Sequence, residues 1–300
     1  MANLKEIRVR IASVNSTKQI TSAMKMVSAA KLRRAQDAVT RMRPYAKKLQ
    51  DILENVSASL DSSEGNAYSA NRPVKNVLIV AITSNRGLCG GFNSNVIKAI
   101  RQLINTKYAD QNIAGNVKLI CIGRKAFEYF KNNGYKVIAN HSEIYDNIQF
   151  ASVAAVAEKI MQDFSNKEFD KVEVVYNQFK NAAVQKLVAE PFLPVNPASE
   201  GLAVSPLRGD GRGASDYIFE PSVAYIINDL IPRSLKTQLF KAVLDSNAAE
   251  HGARMTAMHK ATDNATEMVK QLKLHYNKAR QASITKEILE IVGGAEALNG

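Results

Sequence analysis

Apolar residues recur at intervals of three and four along the start of the chain, which predicts one helix over residues 3–56. Asn3 and Glu6 resemble a capping box at its beginning. The narrow, alanine-rich stripe is typical of a coiled-coil seam. Pro44 is expected to kink the helix without ending it, because the period resumes afterwards. The predicted seam residues are Leu4, Ile7, Ile11, Val14, Ile20, Met24, Val27, Ala30, Ala35, Ala38 and Met42.

A second long helical pattern runs from about Ser222 to Val292, with a bend or junction predicted at Pro232 and a stop at Gly293. Two helices of roughly 80–90 Å are too long to fold back into a 300-residue globule. The sequence therefore predicts an antiparallel coiled coil formed by the two ends of the chain. The predicted heptad places Met258, Ala265, Leu272 and Ala279 in one row and Ala261, Met268, His275 and Ala282 in the other.

The middle of the chain alternates between apolar runs and helical patterns, which favours a mostly parallel sheet in an α/β domain over residues 74–193. The strands are predicted at 77–82, 117–123, 136–139, 172–176 and 183–189. Polar, Ser- and Gly-rich composition predicts a linker at 57–73 and a mobile loop at 194–215. The predicted domains are thus 1–56, 74–193 and 216–300, with these two segments between them.

A glycine-rich loop, SNRGLCGGFN at 84–93, follows the first predicted strand in the position of a phosphate-binding loop. A P-loop needs Lys and Ser or Thr directly after its last glycine, whereas Phe92 follows here. The dinucleotide fingerprint G-x-G-x-x-G is also absent, since the spacing is G-x-x-G-G. The glycines are interpreted as a tight strand-to-helix turn, and no cofactor is predicted.

Other residues with catalytic potential do not form a recognisable constellation. Cys121 lies in an apolar run, and Cys89 has no histidine near it in sequence that could activate it. The four histidines show no metal-ligand spacing. The sequence therefore favours a mechanical or scaffold role without a catalytic or metal site.

Charge is concentrated at the start of the chain. The formal net charge is +12, and residues 1–50 carry twelve Lys and Arg against Glu6 and Asp37. A nucleic-acid-binding coiled coil remains an alternative, although the basic residues interleave with the whole seam instead of preceding it. A nucleotide-using α/β enzyme with helical arms is a second alternative, which binding of ATP or NAD would reveal.

Three segments together resemble the gamma subunit of the rotary (F-type) ATP synthase, of the bacterial type. They are KEIRVRIASVNSTKQITSAMKMVSAAKLRRAQ, SNRGLCGGFN, and ARMTAMHKATDNA followed by LHYNKARQASITKEILEIV. The resemblance implies a Rossmann-like α/β domain beside a shaft of two helices. It also implies a non-catalytic rotor that couples rotation of a proton-driven c ring to the catalytic beta subunits, with a regulatory effect on ATP hydrolysis and proton flow.

The same resemblance implies partners and a location. The shaft would stand inside three alpha and three beta subunits, with the epsilon subunit and the c ring at its base and no nucleotide or nucleic acid bound. The chain would be peripheral, on the cytoplasmic face of the bacterial inner membrane. The strongly basic first helix suits an acidic loop of beta.

The resemblance also assigns contact residues. Met24, on the predicted seam, and four polar residues of KARQASITKE are expected to contact beta. Glu220, in DYIFEP, is expected to contact the c ring. The four polar residues are Arg280, Gln281, Thr285 and Glu287.

Overall fold

The computed structural model describes residues 4–58, 68, 72–195 and 223–299. Two long helices lie at the ends of the chain, α1 over Leu4–Ala58 and α6 over Val223–Asn299. Pro44 and Pro232 lie within these helices, so the prediction that α1 continues past its proline is confirmed. The elements between them are β1 (Val77–Ile82), α2 (Phe92–Thr106), α3 (Ala109–Ile113), β2 (Val117–Ile122), α4 (Arg124–Asn132), β3 (Val137–Asn140), a 3₁₀ turn (Ser142–Tyr145), α5 (Phe150–Ser165), β4 (Lys171–Phe179) and β5 (Gln185–Leu193).

The five strands form one sheet in the order β3-β2-β1-β4-β5. The first four are parallel, and β5 returns antiparallel to β4 across a tight hairpin. The predicted mostly parallel sheet is confirmed, and all five predicted strands are present, the first with its predicted bounds and the other four with shifted ends. The short helix α3 was not predicted, because five residues are too few to show a helical period.

Helices cover both faces of the sheet because its central strands are apolar on both sides. All six residues of β1 are buried. On one face, α2 and α4 pack through side chains such as Ile100 and Phe130. On the other face, α5 packs together with the start of α6, through residues such as Ile160 and Leu239. The sheet therefore has a core on each side.

The chain divides into two compact units, one formed by residues 31–253 and the other by residues 1–30 with 254–300. The first unit contains the sheet and its covering helices, together with the second half of α1 and the first part of α6. The predicted linker at 57–73 and loop at 194–215 lie for most of their length outside the described residues.

The second unit is an antiparallel helix pair. The Thr262 hydroxyl donates a hydrogen bond to the hydroxyl of Thr21 at 2.9 Å. The Arg8 guanidinium donates to the Tyr276 hydroxyl, also at 2.9 Å. Moving back along α1 and forward along α6 leads from one bond to the other, so the pair keeps one register and the predicted antiparallel pairing is confirmed.

The seam of α1 differs from the prediction between Lys18 and Ala30. Ile20, Val27 and Ala30 were predicted to face the seam, but Ile20 and Val27 are 60% and 57% exposed, and Ala30 is exposed as well. Thr21 and Ser28 are buried in their place. The heptad of α1 therefore continues without a slip, and its buried or half-buried positions are Leu4, Ile7, Ile11, Val14, Lys18, Thr21, Lys25, Ser28, Leu32, Ala35, Val39, Met42, Ala46 and Leu49.

Small hydroxyl side chains can occupy these positions because they bond to their own helix. Thr21 donates to the Lys18 carbonyl at 3.1 Å, and Ser28 donates to the Met24 carbonyl at 2.7 Å. Their burial therefore leaves no hydroxyl without an acceptor. Long Lys18 and Lys25 side chains are half-buried, as expected where an aliphatic stem packs and its ammonium reaches water.

The prediction of the seam residues on α6 is correct for one of its two rows. The predicted row of Met258, Ala265, Leu272 and Ala279 is buried or half-buried. In the other predicted row, Ala261 is half-buried, and Met268, His275 and Ala282 are exposed. The row that faces α1 lies one residue later, at Thr262, Val269, Tyr276 and Ser283. Three of these four residues carry a hydroxyl, so an apolar pattern did not reveal them.

The helix stop predicted at Gly293 and Gly294 is wrong, because α6 continues to Asn299. Glycine weakens a helix by about 1 kcal/mol relative to alanine, which is not enough to end a long one. Within the described residues, no helical stretch combines the length and the hydropathy needed to cross a bilayer.

Candidate functional site

The glycine-rich loop after β1 is held closed by its own side chains. The Asn93 side chain, from the first turn of α2, accepts a hydrogen bond from the Ser84 backbone N–H at 3.0 Å and donates to the Ser84 hydroxyl at 2.8 Å. The Ser84 hydroxyl in turn donates to the Arg86 carbonyl at 2.6 Å. Leu88 and Gly90 adopt positive φ angles of 64° and 60°, which fold the loop tightly.

The neighbouring loops at the carboxyl edge of the sheet are tied to this turn. The Asn85 side chain donates to the Ser142 carbonyl at 2.8 Å and accepts from the Arg124 backbone N–H at 3.0 Å. The Thr83 hydroxyl accepts from the Ala126 backbone N–H at 3.0 Å. These polar groups bind other parts of the chain, and this geometry favours a structural turn over a phosphate-binding loop.

Both cysteines lie inside the α/β unit. Cys89 is 2% exposed and accepts a hydrogen bond from the Asn93 side chain at 3.2 Å. Cys121, on β2, is fully buried, and burial raises the pKa of its thiol to about 12. A thiol with such a pKa is almost entirely protonated near neutral pH and is a poor nucleophile. The described residues contain no group of three or more His, Cys, Asp or Glu that could hold a metal ion.

The residues predicted to contact beta lie in the helix pair, but the structure places them in two different settings. Met24 is half-buried and flanks the seam, next to the seam position Lys25. Its backbone carbonyl accepts the Ser28 hydroxyl bond described above. Part of its side chain is therefore available to a partner.

Arg280, Gln281, Thr285 and Glu287 are all exposed on α6. The Thr285 hydroxyl donates to the Gln281 carbonyl at 3.0 Å, one turn earlier. The Ser283 hydroxyl donates to the Glu287 carboxylate at 3.4 Å. Among the described residues, none is hydrogen bonded to the Arg280 guanidinium. This stretch therefore presents a cation, a primary amide and a carboxylate outward on one short length of helix.

The end of α6 runs past the start of α1. Continuing the register from Arg8 and Tyr276 by one turn brings Leu4 level with Arg280. Beyond that point, all of residues 284–295 are exposed. The large apolar side chains among them are Ile284, Ile288, Leu289, Ile291 and Val292, which are 48–70% exposed.

An apolar set of this size on a helix tip is typical of a surface that another protein covers. The sequence analysis did not single out these residues, although five large apolar side chains beyond the last predicted seam residue were a readable signal. The helix pair is also basic, with twelve Lys and Arg against six Asp and Glu in residues 4–30 and 254–299. Glu220, predicted to contact the c ring, lies outside the described residues.

Comparison with known proteins covers the whole chain. A family model described as ATP synthase matches residues 3–298. The ATP synthase gamma chain of Flavobacterium johnsoniae is 58% identical over all of both chains. Those of Christiangramia forsetii and Cytophaga hutchinsonii are 56% and 52% identical, again over the full length of both chains.

Solved structures show the same fold at lower identity. A chain from the OSCP/F1/c-ring structure of the Euglena gracilis mitochondrial ATP synthase matches with a TM-score of 0.70 and 24% identity, covering 98% of this chain and 94% of that one. A chain from the rotor of the same enzyme matches with a TM-score of 0.64 and 22% identity, covering 94% and 98%. Taken with the identities above 50% to bacterial gamma chains, the full-length family match shows that the chain belongs to the ATP synthase gamma-chain family and is the central stalk of the rotary enzyme, a subunit without catalytic activity of its own.

Proposed function

We propose that the stalk passes rotation to the catalytic beta subunits through two contacts on its helix pair, one at Met24 and one at the polar stretch from Arg280 to Glu287. Three alpha and three beta subunits would surround the pair, and epsilon and the c ring would bind elsewhere on the chain. The observation that carries this proposal is that α6 runs past the start of α1 in a fixed register. Among the residues whose burial is described, all those from 284 to 295 are exposed and can contact partners.

The chemistry of each region suits a contact that forms and breaks at every turn. Arg280 can make charge-assisted hydrogen bonds, which are stronger than the neutral bonds offered by Gln281 and Thr285. Each bond is modest, so a partner could hold the stalk at one angle and release it at the next. The exposed apolar tip would instead slide within an apolar surround, because apolar contact has no directional preference.

The surplus of positive charge supports an acidic partner. A basic helix pair attracts acidic groups over about 10 Å at 0.1 M salt, and several equivalent acidic patches around it would give little angular preference. Because salt screens this attraction, the chain should be released from the catalytic subunits faster in high salt.

We further propose that the chain lies peripherally at the cytoplasmic face of the bacterial inner membrane.

Alanine substitution of Arg280 and Gln281 tests the polar contact. The double variant should slow steady-state ATP hydrolysis by the purified complex, while subunit composition and nucleotide binding to beta stay close to wild type. Lys286→Ala is the matched control, because Lys286 is also exposed but points at least about 120° away from both Arg280 and Gln281 around the helix. Wild-type turnover in the double variant, or an equal loss in the control, would place the contact elsewhere on the stalk.

A further inference from the structure

Asp245 is a carboxylate buried inside the α/β unit, on the side of α6 that faces the β4–β5 hairpin. Its side chain is 1% exposed. Among the described residues, no group donates a hydrogen bond to its Oδ1 atom. Buried charged groups normally have hydrogen-bond partners, because an unpaired charge is costly away from water. This residue therefore lies in a site that favours its neutral form.

Two cations, Arg43 and Lys241, attract the Asp245 carboxylate. Arg43, on α1, places its Nη2 atom 3.8 Å from Oδ1, which is an ion-pair distance but too long for a hydrogen bond. The same Nη2 atom donates to the carbonyl of Phe179, at the end of β4, at 3.2 Å. The Arg43 side chain is 53% exposed, so water screens its attraction. Lys241, one turn earlier on α6, adds a second attraction.

The sheet side supplies negative charge and neutral phenols. Glu190, on β5, accepts a hydrogen bond from the Tyr176 hydroxyl at 2.9 Å and repels the Asp245 carboxylate. Burial, together with Glu190, raises the pKa of Tyr176, so this phenol stays protonated. From the 3₁₀ turn, Tyr145 donates to the Ser246 hydroxyl at 3.5 Å, and burial raises its pKa as well.

α6 packs closely on the same hairpin two turns further on. A Cβ atom added at Gly252 would lie 3.0 Å from the Ala182 carbonyl oxygen, in the turn between β4 and β5. The helix that carries Asp245 therefore also makes a tight contact with the hairpin. We propose that Asp245, Arg43 and Glu190 form a proton-responsive junction: when the Asp245 carboxylate takes one proton from solvent, Arg43 is released from α6 and the packing of α6 on the hairpin tightens.

The expected pH window follows from the balance of these groups. Burial is the largest effect and, with Glu190, outweighs the two cations, so the pKa of Asp245 rises from 3.8 to about 6. Since the folded pKa lies above the unfolded one, the folded unit binds this proton more tightly than the unfolded chain does. The charged carboxylate thus destabilises the junction above about pH 6, and this cost is relieved as the pH falls from about 6 toward 3.8.

Hydrogen exchange of the intact chain within the purified ATP synthase tests the junction. Peptides covering residues 239–253 would be followed by mass spectrometry between pH 5 and pH 8, with correction for the intrinsic exchange rate. In the wild type, protection should rise as the pH falls from 8 to 5, by at most about tenfold, because the folded pKa is about 6 and the lower end of this range is only about one unit below it. Asp245→Asn should give high protection that does not change with pH.

Two further variants make the result specific. Asp229→Asn removes an exposed carboxylate of the same helix, 59% exposed and paired with Arg233, and should keep the wild-type step. Arg43→Gln removes the main attraction on the Asp245 carboxylate and should move the onset of the rise in protection to higher pH. If the wild type shows no rise between pH 8 and pH 5, or if Arg43→Gln leaves the onset unchanged, the junction does not exist. The second readout holds even if Asp245→Asn fails to assemble.

Discussion

Single residues in this chain carry geometric constraints that composition does not reveal. Gly123, between β2 and α4, has a φ angle of 118°, and a Cβ atom there would lie 2.0 Å from the Thr83 carbonyl oxygen. A side chain would therefore collide with the backbone at the end of β1. Gly134 also has a positive φ angle, 77°, but nothing lies within 4 Å of its Cβ position. The two glycines thus separate backbone strain from steric overlap.

Gly123→Ala should destabilise the α/β unit by more than about 2 kcal/mol, because the strained backbone and the overlap both act. Gly134→Ala should cost only about 1 kcal/mol, from its left-handed conformation alone. Urea denaturation of both variants, followed by circular dichroism, measures the difference. Equal losses in the two variants would contradict the close approach at Gly123.

Met24 offers a matched pair for the proposed beta contact. Met24→Lys should lower the number of protons pumped per ATP hydrolysed in membrane vesicles, because an added cation can grip an acidic partner and hinder rotation. Met26→Lys is the control, since Met26 is 65% exposed and points about 200° away around α1. Normal pumping in Met24→Lys would reduce Met24 to a packing residue at the flank of the seam.

At the scale of whole elements, the fold followed from the sequence where long periodic patterns determined it. Both long helices, the order of the strands along the chain and the parallel core of the sheet were predictable, because each is encoded over many residues. The seam was less so. Ile20 and Val27 were assigned to the seam because they are more hydrophobic than Thr21 and Ser28. The helix pairing along the rest of the heptad instead determines which side of α1 faces α6. The polar residues expected to contact beta were predicted from the family resemblance and stay a prediction. Asp245 carried no signal because its burial depends on three separate elements.

The polar section of the seam gives a prediction about the helix pair. Thr21→Val and Thr262→Val should each destabilise the pair by about 1 kcal/mol, since each leaves the other hydroxyl without its partner across the seam. The double variant should cost less than the sum, because valine has the shape of threonine and removes both polar groups. Urea denaturation of the three variants completes the cycle. Thr266→Val, on an exposed position of α6, is the control and should change stability by less than about 0.5 kcal/mol. Additive losses would argue that the two hydroxyls do not interact.

At the scale of the whole molecule, the central stalk is proposed to link the c ring at the membrane to the catalytic subunits. Glu220 is the residue predicted from the sequence to contact the c ring. Glu220→Lys should weaken proton-driven ATP synthesis in membrane vesicles, because it reverses the charge offered to the polar loops of the c ring. ATP hydrolysis by the detached catalytic complex should stay near wild type. Synthesis at the wild-type rate in this variant would move the contact to another residue.

The burial of both natural thiols has a practical consequence for watching this stalk move. Cys89 and Cys121 are 2% and 0% exposed, so a maleimide reagent should react with neither thiol in the folded chain. A cysteine introduced at an exposed position such as Lys278 would then be the only reactive thiol on this subunit. A fluorophore or a gold particle attached there would follow the stalk's angle without first removing the native cysteines.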